Sequence, residues 1–446
     1  MSIFSLYKLN KGYNIKISDG ASLDVCNAIF PDKIAIKPID FVGLKLNPVV
    51  KVGDQISAGD ILGFDKQYPK IKLTTPVAGK VLDIKRGKRR LITQIVLETD
   101  KQSNDKTFEI PSELSRDDIL EILLDSGMFL QFKQRPFNII ASPDMVPRDI
   151  FISAILTYPM APDVKILMDG NQHFLQKGIS VLSKLTSGKV HLSHSPDNKK
   201  IFSDFKDCNL NVFEGAHPAG NVGIQIHHIS PILNRNDVVW TCSLAGLIRL
   251  GRLFYDGILD SDCLVKVSGS GAFDKQYYRT KIGSPVSIFV KVKDCTRIIS
   301  GDVLTGRQVE SNGFLGFFDN LVSVLPETKK YEFIGWLTPG LSKLSRSRSF
   351  LSSLNPFRKF YNPDTNYHGS NRAFVATGIY KDVLPMDIYP VFLMKSILVK
   401  DIEEMEQLGI YEIVEEDIAL CEYICPSKIE WQEILRQGLG LIEKEG

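Results

Sequence analysis

VKVGDQISAGDILG (Val50–Gly63), followed by IKLTTPVAGKVLDI (Ile71–Ile84), decides how the first hundred residues fold. Each stretch holds short apolar runs cut by Gly-Asp or Pro-x-x-Gly, the punctuation of closely spaced strands and tight turns. Glycine suits such corners because it accepts positive φ without steric cost. Outward from this pair, KIAIKP (Lys33–Pro38) alternates on one side. On the other, RGKRR makes a basic turn before a further strand, LITQIVLETD (Leu91–Asp100). These segments predict a small all-β unit over 1–105. V-x-V-G-D-x-x-x-x-G-D-x-L and T-P-V-A-G-K-V together resemble the biotinyl/lipoyl-type barrel sandwich. In carrier domains of that type a lysine at a hairpin tip is modified. Here the hairpin FDKQYPKIK offers Lys66 and Lys70 without the usual flanking residues, so a structural hairpin is the preferred reading over a group carrier.

Beyond residue 105 the texture changes. Leu114–Met128 reads as a helix, with Ser115 as N-cap and Asp117 and Asp118 in its first turn. NIIAS (138–142), VKILMDG (164–170), VHLSHS (190–195) and NLNVFEG (209–215) read as short buried strands. Helical stretches such as Asn171–Leu185 separate some of them, and Asp237–Leu253 reads as a closing helix. Strand and helix in alternation predict a parallel, Rossmann-like α/β sheet over 106–256. From 257 to 330 the pattern is β again, through CLVKVSGSG, PVSIFVKV and CTRIISGDVLTG. The SGSG turn resembles the ubiquitin-like soluble-ligand-binding (β-grasp) domain found beside the flavin domain of respiratory NADH dehydrogenases. Residues 331–400 read as a connection carrying a Ser/Arg-rich exposed arm (Ser342–Lys359), and 401–446 as a helical unit. The fold class expected is multi-domain α+β.

The totals narrow the function classes. Formal net charge is +2, from 54 basic and 52 acidic residues, so the chain has no general pull towards nucleic acid or anionic lipid. The longest apolar stretch, Met386–Val399, is broken by Asp387, Pro390 and Lys395, whereas a span needs about 20 mostly apolar residues. Met1–Gly20 carries neither the apolar core nor the cleavage site of a signal peptide. Of seven cysteines, Cys26, Cys208, Cys242, Cys263 and Cys295 are scattered, as small core residues of a reducing compartment are.

Familiar catalytic motifs are missing: no G-x-x-x-x-G-K-[ST], no H-E-x-x-H, no G-x-S-x-G, and no G-x-G-x-x-G between strand and helix. Three places remain. EGAHPAGNVGIQIHH (Glu214–His228) follows a strand, and Gly215, Gly220 and Gly223 bracket His217 and Pro218. Such a loop can bring backbone N–H groups to a ligand, or simply reverse the chain. His217, His227 and His228 lack the carboxylate or cysteine set of a metal site. SGMFLQFKQRPF (Ser126–Phe137) stands where flavin subunits related to complex I carry G-x-G-G-A-G-F-P-T. Phe132, Lys133, Gln134 and Arg135 replace the glycines, and their side chains would block the backbone's approach to FMN. Packing is the first reading of this segment; Arg135 and Phe137 contacting an aromatic ligand such as a quinone headgroup is the second. In EEDIALCEYICPSK (Glu415–Lys428), Cys421, Cys425 and Pro426 match the end of C-x2-C-x2-C-x3-C-P, but Glu415 and Ile418 stand where the first two thiolates belong. Cys421 and Cys425 therefore read as vestigial cluster positions in a helical core.

The segments just quoted, with SKLTSGKV (183–190), NRAFVATGIYKDVLPMD (371–387) and the final LIEKEG, run through nearly the whole chain. Together they resemble the alpha-subunit family of sodium-translocating NADH:quinone oxidoreductases. The resemblance implies a peripheral subunit on the cytoplasmic face of the bacterial inner membrane, docked on integral-membrane and flavin-carrying partners of a six-subunit complex. It implies no catalytic residue, no metal and no redox cofactor in this chain; NADH, FAD, FMN, riboflavin, an iron–sulfur centre and ubiquinone are handled by other subunits. Quinone access through this subunit stays open, with Phe132, Arg135, Phe137, His217, Gly220 and Gly223 as candidate contacts. The competing reading is a catalytic flavin- or NADH-binding subunit.

Overall fold

The computed structural model describes residues 5–445 except 28, 102–105, 294, 329–333, 335–336, 342, 345, 348–349, 356–359, 368 and 376. Much of the expected exposed arm, including Ser342 and Pro356–Lys359, lies outside these residues. In the described part of the arm, Ser352 is buried and Arg346 pairs with Asp382 at 3.1 Å.

Two small antiparallel sheets form the barrel sandwich. One has the order Lys33–Ile36, Ile92–Thr99, Gly79–Arg86, Gln55–Ile56; the other has Leu46–Pro48, Ile61–Asp65, Lys72–Thr74. Their inward residues, among them Ile34, Leu62, Val81, Ile95 and Leu97, are fully buried. Gly79 is required by the close strand approach: a Cβ there would lie 1.8 Å from the Glu98 carbonyl oxygen. The Lys66–Lys70 turn is organised by the buried Asp65, whose carboxylate accepts from the Tyr68 N–H at 2.9 Å and the Lys45 N–H at 2.8 Å.

The α/β unit holds a seven-stranded sheet. Its parallel heart runs Asn209–Glu214, Val190–His194, Ile150–Ala154, Val239–Ser243. In chain order that is 3-2-1-4, the doubly wound arrangement. Strand Lys133–Arg135 adds antiparallel to Val239–Ser243, with Ile139–Ile140 at the edge. The strand expected at Val164–Gly170 is instead a short helix, Val164–Met168, started by Asp163, whose side chain accepts from the Lys165 N–H. Val164, Leu167 and Met168 are its buried face, a spacing that suits one helical turn. The closing helix starts later than expected. Val239–Ser243 is a central strand, and Ser243 then caps the helix Leu244–Asp256. The helix expected from Leu114 runs Arg116–Ser126 behind a reciprocal Ser115/Asp118 capping box.

The third sheet has six strands, with the parallel pair Asp262–Ser268 and Leu321–Pro326 at its centre. PVSIFVKV, expected as a strand, holds a 3-10 turn at Val286–Ile288. Its side chains Val286, Phe289 and Val290 face the core of this sheet, which explains the apolar run.

The opening residues pair outside the barrel sandwich. Ser5–Lys8 pairs parallel to Asn209–Glu214 of the α/β sheet, and Val25–Cys26 pairs with Tyr277–Tyr278 of the third sheet. The opening residues thus tie two later units together before the barrel begins. The helices Pro390–Val399, Ile402–Gln407, Glu415–Ile424 and Trp431–Glu445 bury Leu393, Met405, Ile418, Cys421, Trp431 and Leu435 in a core shared with Phe137, Phe151 and Ile224 of the α/β unit. The first of these helices, Pro390–Val399, precedes the helical unit expected from 401 and shares its core. Among the described residues no helix is long and apolar enough to cross a membrane.

Candidate functional site

Doubly wound sheets bind ligands in the crevice beyond the carboxyl ends of their strands. Here a cleft of about 180 Å³ lies there. Tyr158, beyond strand Ile150–Ala154, and His217 and Asn221, beyond strand Asn209–Glu214, line one wall. Asp302, Thr305, Phe318, Asp319 and Asn320 line the other, and Glu416 closes it from the C-terminal helices. Three units meet at this point.

His217 is the buried polar group that faces the cleft. Its Nδ1 lies 3.1 Å from the Thr157 hydroxyl, which also accepts the Gly220 N–H at 3.0 Å. The hydroxyl has one proton to give, so we assign it to Nδ1; the imidazole proton then sits on Nε2. Nε2 is buried with no protein partner among the described residues. Burial holds the imidazole pKa down at about 4, so the ring is neutral at pH 7. The Tyr158 hydroxyl donates to Asn320 Oδ1 at 3.0 Å, and burial pushes its phenol well above the ordinary range. Asp302 is also pushed up, chiefly by burial, against hydrogen bonds from the Thr305 hydroxyl and the Leu304 and Thr305 N–H groups.

Beside the cleft is a second, filled seat. Helix Val222–Ile229 points its N-terminus at the C-terminal helix Glu415–Ile424. A Cβ on Gly223 would lie 2.2 Å from Asp417 Oδ2, so only glycine lets that carboxylate come so close. Arg135, 2% exposed, meets Glu416 at 2.8 Å and Asp417 at 3.7 Å. The Asn221 side-chain amide donates to the Glu416 carbonyl oxygen at 2.8 Å, and the Val414 N–H donates to Asp417 Oδ2 at 3.2 Å. Burial pushes the Asp417 carboxyl up to about 7, with Arg135 pulling the other way and Glu416 adding to the rise. A helix N-terminus at the end of a Rossmann-like strand is where such folds seat an anion. In this chain its own carboxylate occupies that place.

The replaced glycines have structural work. Phe132 is fully buried against Phe129 and Trp240. Lys133 lies over the Phe318 ring, and Gln134 accepts the Ser142 N–H. Phe137 is buried at φ +81, edge-on to Tyr411, and its carbonyl accepts from Arg436 at 2.9 Å. Gly220 is needed because a Cβ would lie 2.5 Å from the Ile155 carbonyl oxygen. Of the six candidate contacts, the cleft is lined by His217 alone, while Arg135 and Gly223 belong to the filled seat. Glu416 and Asp417 were not among the sequence candidates; they enter through an ion pair 281 residues long in the chain. Cys421 is on its helix, and Cys425 is the residue that ends it; both are fully buried, and the Tyr380 hydroxyl lies 3.2 Å from Cys425 Sγ. Among the described residues no group of three or more His, Cys, Asp or Glu side chains is arranged to hold a metal ion.

Family models match three parts of the chain: the NqrA N-terminal barrel-sandwich hybrid domain at residues 7–100, the NqrA second alpha/beta domain at 114–259, and the NQRA C-terminal domain at 264–311. The alpha subunit of the Na(+)-translocating NADH-quinone reductase of Saccharophagus degradans is 36% identical over 99% of this chain and 100% of its own length. The chain belongs to this NqrA family. The NqrA of Hahella chejuensis is 35% identical, again over 99% of this chain and all of its own. An NAD+-reducing [NiFe]-hydrogenase in the air-oxidized state superposes with a TM-score of 0.41 at 11% identity, covering 73% of this chain and 60% of the hydrogenase chain. Membership of the NqrA family accounts for the barrel sandwich and the α/β unit, and the sequence reading of both holds.

Proposed function

We propose that this NqrA-family chain is a peripheral, cofactor-free part of a sodium-pumping NADH:quinone oxidoreductase. The complex oxidises NADH, reduces ubiquinone to ubiquinol and expels sodium. This chain docks on membrane and flavin-carrying subunits at the cytoplasmic face of the bacterial membrane. FAD, FMN, riboflavin and the iron–sulfur centre sit in those partners, six subunits in all. The named relatives support membership of the complex, each matching along its full length. The single observation that supports a cofactor-free role is the Asp417 carboxylate in the anion seat, held by Arg135. A phosphate-bearing flavin would have to displace that buried carboxylate and face Glu416 as well. The units we assign are the barrel to residue 105, the α/β unit to 256, the β-grasp unit to 330, and the connection and helices beyond. The test is purification of the full chain: the expected product is colourless, with the mass of the unmodified polypeptide. Stoichiometric flavin absorbance would establish the catalytic reading instead, and a fixed mass increment at Lys66 or Lys70 the carrier reading.

A second reading concerns quinone access. It rests on His217, a neutral imidazole whose buried Nε2–H has no partner among the described residues, in the wall of a cleft that Leu304, Phe318 and Leu321 line with apolar surface. A quinone carbonyl is an acceptor of the right kind for that proton, and a neutral headgroup suits a cleft whose charged lining residues are all acids. Isothermal titration of the full chain with a soluble ubiquinone tests it. Saturable heat that His217→Phe abolishes is expected; no saturable heat places the quinone in another subunit.

A further inference from the structure

The hairpin Gly79–Arg86/Ile92–Thr99 is built from the two longest strands of the barrel, and it ends in Lys85, Arg86, Gly87, Lys88, Arg89, Arg90 and Leu91. All seven are exposed, and Leu91 shows half of its surface to solvent. Five cations in seven residues stand in a chain whose formal net charge is only +2, so the rest of the molecule is net acidic. Among the described residues no carboxylate pairs with any of the five.

The tip is also ordered. The Gly87 N–H donates to the Leu91 carbonyl at 2.8 Å, the Leu91 N–H to the Lys88 carbonyl at 3.2 Å, and the Arg86 guanidinium to the Arg90 carbonyl at 3.3 Å. Arg89 and Arg90 both sit in the left-handed region, at φ 55 and 58. Hairpin turns that need this conformation are filled by Asn, Asp or Gly. Arginine at both positions works against the turn, and crowding five like charges works against it again. Folding therefore does not explain the composition, whereas a partner that neutralises positive charge does.

We propose that this prong is a contact for an anionic lipid surface. The cations would sit at the phosphate level and Leu91 would enter the headgroup layer, the pairing of basic and apolar groups by which interfacial segments hold a bilayer. A convex tip fits a flat surface. An acidic protein partner would satisfy the charges but gives no reason for the exposed Leu91 at the apex. The choice of a bilayer rests on the reading that the chain works beside a membrane, though its test does not depend on complex membership.

The experiment sediments the full chain with vesicles at low salt, using equimolar phosphatidylglycerol and phosphatidylcholine or phosphatidylcholine alone. Binding is expected with the anionic vesicles only, and it should fade as salt shortens the Debye length. The variant Lys88→Glu/Arg89→Glu/Arg90→Glu should bind at least about a hundredfold more weakly, because each basic residue near such a surface contributes about a fivefold factor. Leu91→Ser should weaken binding by a few-fold. All these changes are on the surface, and circular dichroism checks that each variant is folded. No binding by the parent chain, equal binding by the triple variant, or equal binding to neutral vesicles overturns the proposal. If vesicles are ignored but the triple variant no longer co-purifies with the membrane subunits, the prong meets an acidic protein and the lipid assignment is wrong, while complex membership stands.

Discussion

The filled seat and the open cleft lie side by side at the same end of one sheet, yet they solve burial in opposite ways. In the seat, Arg135 is set against Glu416 and Asp417, although its Nε and Nη1 and Asp417 Oδ1 make no hydrogen bond among the described residues. In the cleft, His217 keeps an unpaired donor by staying neutral. The seat is closed because a charge removed from water must be paired, and its partners hold it fast. The cleft stays available because a neutral imidazole costs far less to bury. One region is filled by the chain's own side chain, and its neighbour is the one we propose meets a ligand.

The largest expected effect comes from breaking the seat. Arg135→Leu removes the guanidinium that meets both Glu416 and Asp417, and should cost about 3 kcal/mol of unfolding free energy in urea titrations. A loss below about 0.5 kcal/mol would mean that the ion pairs are incidental. Next, Gly223→Ala should cost roughly 2 kcal/mol, because the new Cβ must push the Asp417 carboxylate aside. If the seat is what demands glycine, Gly223→Ala should be tolerated once Asp417 is also made Ala.

The pH dependence separates the two regions by sign. The Asp417 carboxyl is raised in the fold to about 7, so between its unfolded pKa and that value the folded chain holds a proton that the unfolded chain has released. Its contribution is thus present at low pH and lost as pH rises through that window. Asp417→Asn should remove this falling limb from a stability–pH curve. His217 is depressed to about 4, so between 6.5 and 4 the unfolded chain binds a proton that the folded chain refuses. Its contribution is present above pH 6.5 and lost as pH falls. His217→Gln should flatten the acid side of the curve, with the smallest change of the set at pH 7. Matching slopes from the two variants would erase the contrast.

How much of this was legible in the sequence follows from the range of the forces involved. The barrel was, because Gly-Asp corners and alternating strands are local signals. The candidate loop was too, since Gly215 to Gly223 is one contiguous stretch with His217 inside it. Strand Ile150–Ala154, at the centre of the sheet, went unread because IFISA is a short apolar run with no alternation and no turn chemistry of its own. Val239–Ser243 merged into the helix that follows because VWTCSLAGLIRL is mostly apolar, with no Gly-Pro or Gly-Asp break between strand and helix. The filled seat had no local signal: Arg135 and Asp417 are far apart in the chain, and what fixes them is the docking of the C-terminal helices. In that light the replaced glycines at Phe132–Arg135 have two parts, a core (Phe132) and a cation (Arg135) whose partner the sequence did not reveal.

The most direct test of the account is isothermal titration of the purified full chain with FMN. With Asp417 in the anion seat, the expected outcome is no saturable heat. Tight one-to-one binding of FMN would show that the seat is still open to a phosphate, and would contradict it.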